Sequence, residues 1–421
     1  MSTMTTVGQS PGMLREPTAW ESFKAGLRAS GIPWLFVAPP LIVMLFITFT
    51  PQLYQIVISL RDFRAENLAV NAPEAPFVGL DNFVRVLTGL NVPNYAFFPL
   101  LGFNIVWTLV NVFFHVAIGL AVALALNAQH VIGRRIYRAL YVLPWALPGY
   151  ITALIWNNLW QQNDGGFNLL IKSINDNLGT RFTTNINWLG DLNRPVDLRP
   201  IIPFVIIAGC GLIAVWLIRR TLRLGLLKPD GTINAERTVF SIGGIIVLGA
   251  SAIFTLVDVL NGSTATNILV QSFDRAGAPT LAFYAVLIAN IWLGWPFMMV
   301  VATGALQSIP PDLYEAADVD GASKWTQFTK ITLPLLRPAM VPAIMLGTVW
   351  TFNQFNVIFF ITGGGPRGQT DLLVTQAYKL IAQEQLYGAA AAFSIIVFFV
   401  LLIITLINNR ITRATKAYDE A

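Results

Sequence analysis

Four carboxylates, Asp312, Glu315, Asp318 and Asp320, stand close together in a chain of 421 residues that is 55% hydrophobic and only 12% charged. They follow Pro310-Pro311, a proline pair suited to a helix's first turn, where a missing N–H costs nothing and negative charge meets the positive end of the helix dipole. No other group nearby turns them into a metal or acid–base centre. The chain has two histidines, His115 and His130, neither in an HExxH pattern, and one cysteine, Cys210, within an apolar run. A Cys/His zinc site and an internal disulfide are therefore excluded. The glycine-rich stretch "ITGGGPRGQT" lacks the Gly-Lys-Ser/Thr ending of a phosphate-binding loop and reads as a turn capping an apolar helix. What remains for the acids is recognition. Anionic lipid headgroups favour basic helices, so an acidic amphipathic helix better fits a protein partner offering a basic or amphipathic groove.

The elements that must position this segment are membrane helices. Mean hydropathy is +0.62, and a hydrocarbon core about 30 Å thick needs roughly 20 apolar residues in helix. Eight segments approach that: Trp34 to Leu60, Phe97 to Leu126, Ala139 to Trp160, Pro200 to Ile218, Val239 to Leu260, Leu281 to Leu306, Ala339 to Thr362 and Leu386 to Asn408. The first is expected to be an uncleaved span following a polar segment, 1–32. An even count places both termini on one side. With the N-terminus inside, the inner segments hold 17 of the 27 Lys and Arg residues and the outer loops 10, so both termini are expected to be cytoplasmic.

Pro39, Pro40, Pro144, Pro148, Pro296 and Pro342 lie within the spans. Each removes a backbone donor that lipid cannot replace, which suits helices lining a path. Gly119 and Ala123 offer small-xxx-small spacing for close helix contact. His115 reads as a packing or pore-facing polar group. Asp258 falls near the outer end of its span and is expected to be hydrated.

At 3.6 residues per turn, Tyr314, Ala317, Gly321, Trp325 and Phe328 fall on one side of the acidic segment, and Asp312, Glu315 and Val319 on another. Gly321 permits a sharp bend. A second helix is expected through "SKWTQFTKIT", ending at Pro334.

Glu315-Ala316-Ala317, three residues, Gly321, nine residues, then Ile331-x-Leu333-Pro334 resembles the EAA signature of the permease subunits of ABC importers. The resemblance implies an all-helical integral membrane fold of MetI-like type with about eight transmembrane helices. It also implies that these seven residues form a coupling loop, 311–338, docking on an ATP-hydrolysing subunit. "RALYVLPWALPGYITALIWNNLW" and "FNQFNVIFFITGGGPRGQTDLLVTQAYKL" further resemble the carbohydrate-uptake branch, the MalF-type permeases of maltose and maltodextrin importers. Sugar contacts are then implied on two helices, at Asn290, Leu293, Gly294, Phe297, Gly347, Trp350, Thr351 and Gln354. Aromatic faces with side-chain amides suit a sugar, its C–H patches resting on rings and its hydroxyls pairing with amides. Ordinary packing accounts equally for Trp350.

Most MalF-type permeases pass within a few residues from the outer loop, here Trp188-Leu189, to the helix matching the one that holds Asn290, whereas this chain inserts about 85 residues. The organisation expected is 1–32, a core block 33–199, an inserted two-span hairpin 200–280 with a basic loop, and a core block 281–421. The resemblance implies a non-catalytic transport subunit of a bacterial inner membrane without a cofactor of its own. ATP would be bound by two partner ATPase subunits, beside a second permease and an extracytoplasmic solute-binding protein. An ion-coupled sugar carrier stays open at this stage. It would need buried acids or inverted repeats, and Asp258 is the one acid within a span.

Overall fold

The computed structural model describes residues 20, 21, 24, 31–128, 132–224, 235–260 and 275–416. His130, nearly all of the segment before the first helix, most of the basic loop after Leu224 and the side chain of Asp258 lie outside the described residues. Among those described, the chain is helical, with a single isolated bridge between Arg61 and Phe77.

Two units are formed, Met1–Ile58 and Ser59–Ala421. The first is described chiefly by α1 (Gly31–Ser59), which contains Pro39, Pro40 and Pro51. Its stretch Phe36–Ser59 has a mean hydropathy of 1.9 and is long enough to cross a bilayer.

The second unit contains α2 (Asp81–Thr88), α3 (Phe97–Asn127), α4 (Arg134–Ala146), α5 (Gly149–Leu159), α6 (Gly166–Leu178), α7 (Ile202–Leu224), α8 (Ala235–Leu260), α9 (Leu281–Gln307), α10 (Asp312–Val319), α11 (Leu333–Phe352), α12 (Phe355–Thr362), α13 (Leu373–Ala382) and α14 (Tyr387–Lys416). Among the described residues of the chain, six helical stretches are long and apolar enough to span, and the bent pair α4–α5 makes a seventh. Helix α8 adds a shorter apolar stretch, Ile242–Val257.

Lipid gives apolar helices no hydrophobic reason to associate, so contact rests on small residues, dispersion and hydrogen bonds. Helices α3 and α9 pack along much of their length. A Cβ on Gly119 would lie 2.7 Å from Met298 Cβ and 2.8 Å from the Met299 backbone nitrogen, and Ala123 one turn on is fully buried. Two backbones meet at this small-residue pair. Helix α11 packs on both, while α7 and α8 pack chiefly on each other.

Two of the expected spans are broken, one at a proline noted in the sequence and one where none stands. The stretch Ala139 to Trp160 bends by 90° between α4 and α5. Pro148 drives Leu147 to an extended ψ of 141°, since proline's ring crowds a helical residue before it. The stretch Ala339 to Thr362 is interrupted without proline at Asn353 and Gln354, where Gln354 has ψ 91°. The second helix of the acidic segment, conversely, does not end at Pro334. A π-helical turn, Phe328–Thr332, widens the ladder so that Leu333 N–H reaches the Phe328 carbonyl, and the helix runs on through Pro334 into α11.

Candidate functional site

All eight residues of the expected sugar path line one cavity of about 430 Å³ between α9, α11 and the α11–α12 break. That volume lies within the 300–1,000 Å³ typical of small-molecule sites. Asn290, Leu293, Gly294 and Phe297 come from α9, Gly347, Trp350 and Thr351 from α11, and Gln354 from the break itself. Trp145 on α4 and His115 on α3 complete the wall with Asn353 and others. Three aromatic rings run along it: Phe297 lies 5.9 Å from Trp145 and 5.4 Å from Trp350, centroid to centroid. Trp145 and Trp350 are each about half exposed, so ring faces are available there. Among the lining residues none is an acid, lysine or arginine.

The break is held by a polar stripe on α3. Asn104, Trp107, Asn111 and His115 follow at spacings of three, four and four, which is one helical face, and all four are buried. The last carbonyls of α11 run short of backbone donors once the helix stops, Thr351 O keeping a turn bond from Gln354 N–H at 3.3 Å, and lipid offers none. Trp107 Nε1–H donates to Thr351 O at 3.2 Å and Asn104 Nδ2–H to Phe352 O at 3.2 Å. Asn104 Oδ1 also accepts from the Leu373 N–H at the start of α13, at 2.8 Å. Asn290 Nδ2 donates to Asn111 Oδ1 at 2.7 Å and Gln354 Nε2 to Asn290 Oδ1 at 2.8 Å. The amides named for sugar contact thus also knit α3, α9 and the break together. The reading of the sequence missed Asn104, Trp107, Asn111 and Trp145. The stripe's signal was its helical period within an apolar span.

The EAA segment forms an exposed ledge. In α10, Glu315 and Ala316 are exposed and Ala317 half-buried, and Gly321, Leu333 and Pro334 are exposed, with Ile331 partly so. Helix α10 ends in a Schellman turn. Ala322 N–H donates to Ala317 O at 2.9 Å and Gly321 N–H to Asp318 O at 3.1 Å, with Gly321 at φ +72°. Ser323 Oγ then caps the next turn by accepting from Thr326 N–H. Lys324 Nζ donates to Asp318 at 2.8 Å, and the Gln327 amide also donates to Asp318. These hydrogen bonds hold the Asp318 carboxyl below the usual carboxylate range. The aromatic ridge expected from helical spacing is divided by this turn. Tyr314 folds inward against the α3–α9–α11 core, its hydroxyl 2.9 Å from Thr332 Oγ1, while Trp325 stands 72% exposed.

Past α12, the glycine-rich turn caps that helix, Gly363 N–H donating to Phe359 O. It then wraps Asp371, which pairs with Lys379 at 2.8 Å and is 3% exposed. Burial raises the Asp371 pKa, while Lys379 and Thr375 oppose that shift.

Residues 115–416 match the family model described as "Binding-protein-dependent transport system inner membrane component". The galactooligosaccharides transport system permease protein GanP of Bacillus subtilis (strain 168) is 27% identical over 394 residues, covering 92% of this chain and 72% of GanP. The trehalose/maltose transport system permease protein MalF of Thermococcus litoralis is 27% identical over 391 residues, covering 93% and 96%. A crystal structure of a bacterial alginate ABC transporter, in complex with its alginate pentasaccharide-bound periplasmic protein, shares the fold: TM-score 0.59, 18% identity, 94% of this chain and 99% of that one. The matched residues include the ledge, every residue lining the cavity and the helix joining them, and the chain belongs to the family of inner membrane components of binding-protein-dependent transport systems.

Proposed function

We propose that this chain is a permease subunit of an ATP-driven sugar importer and that it works by alternating access. The observation that carries this is the course of α11. It starts at Leu333-Pro334 beside the exposed ledge and, about 21 to 27 Å on at 1.5 Å per residue, presents Gly347, Trp350 and Thr351 to the cavity. Force applied to the ledge would therefore reach the cavity wall through one helix.

In this reading Glu315, Ala316, Ala317 and Gly321 dock on an ATPase subunit, and Ile331, Leu333 and Pro334 fix the ledge to α11. ATP is bound and hydrolysed by two such partners, a second permease supplies the facing half of the path, and an external binding protein delivers the sugar. The relatives' names, galactooligosaccharide and trehalose/maltose permeases, support a small neutral saccharide as cargo. The lining suits one, with three rings for C–H faces and amides for hydroxyls. The charge distribution supports cytoplasmic termini, which puts the ledge on the ATP side.

The test is uptake by the chain reconstituted in proteoliposomes with its partner subunits and binding protein. Maltose or trehalose accumulation that requires ATP and is lost in Glu315→Ala is the expected result. Uptake that persists without ATPase subunits and follows an ion gradient would instead establish a secondary carrier.

A further inference from the structure

We infer that His115 is a sugar-binding, specificity-determining residue, accepting a hydrogen bond from a sugar hydroxyl at Nδ1, and that Gly294 is the socket that seats its ring. The inference rests on the proposal that the cavity carries sugar.

His115 lines the cavity beside Asn290, Gln354 and Trp350, and it is the one titratable side chain among the lining residues described. Its Nε2 lies 3.0 Å from the Asn290 carbonyl oxygen. A carbonyl only accepts, so Nε2 carries the hydrogen and the neutral ring keeps its lone pair on Nδ1. Among the described residues no protein donor is placed on Nδ1.

The nearest amide, that of Asn290, is committed at both of its side-chain atoms. Asn290 donates to Asn111 and accepts from Gln354, and the Thr351 carbonyl accepts from Trp107. Sugar hydroxyls donate as well as accept, and leaving a hydroxyl's proton unpaired in a dry site is costly. Nδ1 supplies an acceptor that the helix-to-helix network does not consume.

Gly294 explains how an imidazole fits there. A Cβ on Gly294 would lie 2.2 Å from Cε1, 2.3 Å from Nε2 and 2.6 Å from Nδ1 of His115. The ring rests on bare backbone, and any side chain at 294 would have to displace it. A histidine serving only to tie α3 to α9 would need the Nε2 bond alone.

The experiment uses the complete reconstituted importer with its binding protein saturated by maltose or by trehalose, so that selectivity is read downstream of that protein. The readout is the ratio of the two ATP-dependent uptake rates. His115→Phe keeps a ring but loses the acceptor, and is expected to shift the ratio at least about threefold, the scale of one neutral hydrogen bond. His115→Gln, which retains an acceptor, is expected to return the ratio part of the way. Equal slowing of both sugars, or an unchanged ratio in both variants, would overturn the sugar contact and leave His115 a helix tie. Gly294→Ala is expected to reduce uptake at least about tenfold, and Gly294→Ala with His115→Ser to recover part of it. A double variant as inactive as the single one would overturn the socket. Should the unaltered importer move neither sugar nor any galactooligosaccharide, the sugar reading itself falls and the inference with it.

Discussion

The turns at Gly321 and Gly364 both place a glycine in the left-handed region, at φ +72° and +82°, and each has a lysine–aspartate pair beside it. Their surroundings are opposite. At Gly321 an added Cβ meets nothing within 4 Å, whereas at Gly364 it would lie 1.9 Å from Asp371 Oδ1 and 2.6 Å from Lys379 Nζ. The Lys324–Asp318 side chains are 79% and 54% exposed, the Lys379–Asp371 pair 16% and 4%. One turn is a self-tied surface feature, open for a partner. The other is closed around a buried charge and fixes the far end of the same helical path. Glycine serves backbone conformation in the first turn and both conformation and space in the second.

The largest effect is expected at the buried pair. Asp371→Ala would leave Lys379 with an uncompensated, largely buried charge, and breaking such a pair costs about 3 kcal/mol or more. The expected result is a large drop in melting temperature of the purified protein, or loss of folded material altogether. Lys324→Ala at the open turn should leave the melting temperature nearly unchanged. Equal effects at the two turns would remove the distinction. Next in size is Asn104→Leu, which orphans the Phe352 carbonyl and the Leu373 N–H together. Unsatisfied buried groups cost about 1–3 kcal/mol each, so the melting temperature should fall clearly.

The same contrast separates what was legible in the sequence from what was not. The ledge depends on short-range order: EAA, Gly321 and Ile331-x-Leu333-Pro334 determine a helix, a Schellman turn and a helix start within about twenty residues. The spans were legible from hydropathy and the α4–α5 bend from its proline, though not its 90° angle. The α11–α12 break was not legible, because no residue there forbids a helix. It depends on Trp107 and Asn104 receiving carbonyls some 245 residues away in the chain. Nothing local marks Asp371 as buried; only Lys379 and the glycine turn, brought over it by the fold, make it so. His115 and Gly294 could be noted separately, but only tertiary contact makes them a ring and its seat.

At the open turn, function should respond more than stability does. Gly321→Ala meets no steric obstacle and incurs only the left-handed penalty of about 1–2 kcal/mol, relieved by letting the turn unwind. Co-purification of the proposed ATPase partner and the proposed sugar uptake should both fall, on the order of tenfold, while the cavity helices keep their melting temperature to within a few degrees. Were the fold to collapse as well, the turn would be part of the core and the ledge would lose its independence.

The smallest effect is expected from pH at Asp318. Hydrogen bonds from Lys324 and Gln327 hold its carboxyl below its ordinary value, near 3.9 in an unfolded chain. A depressed folded-state pKa contributes stability that is fully present above that ordinary value and is lost as pH falls through the lowered one. Between pH 8 and 5 the turn should therefore not change. The pair is exposed and screened by salt, so even below pH 4 the loss should be slight. Attachment of the ATPase partner measured from pH 8 to 5 should be flat with respect to this group, in wild type and Asp318→Asn alike. A fall in attachment in that range that vanishes in Asp318→Asn would mean the carboxylate faces the partner directly, and that the lysine seen beside it only occupies the partner's place.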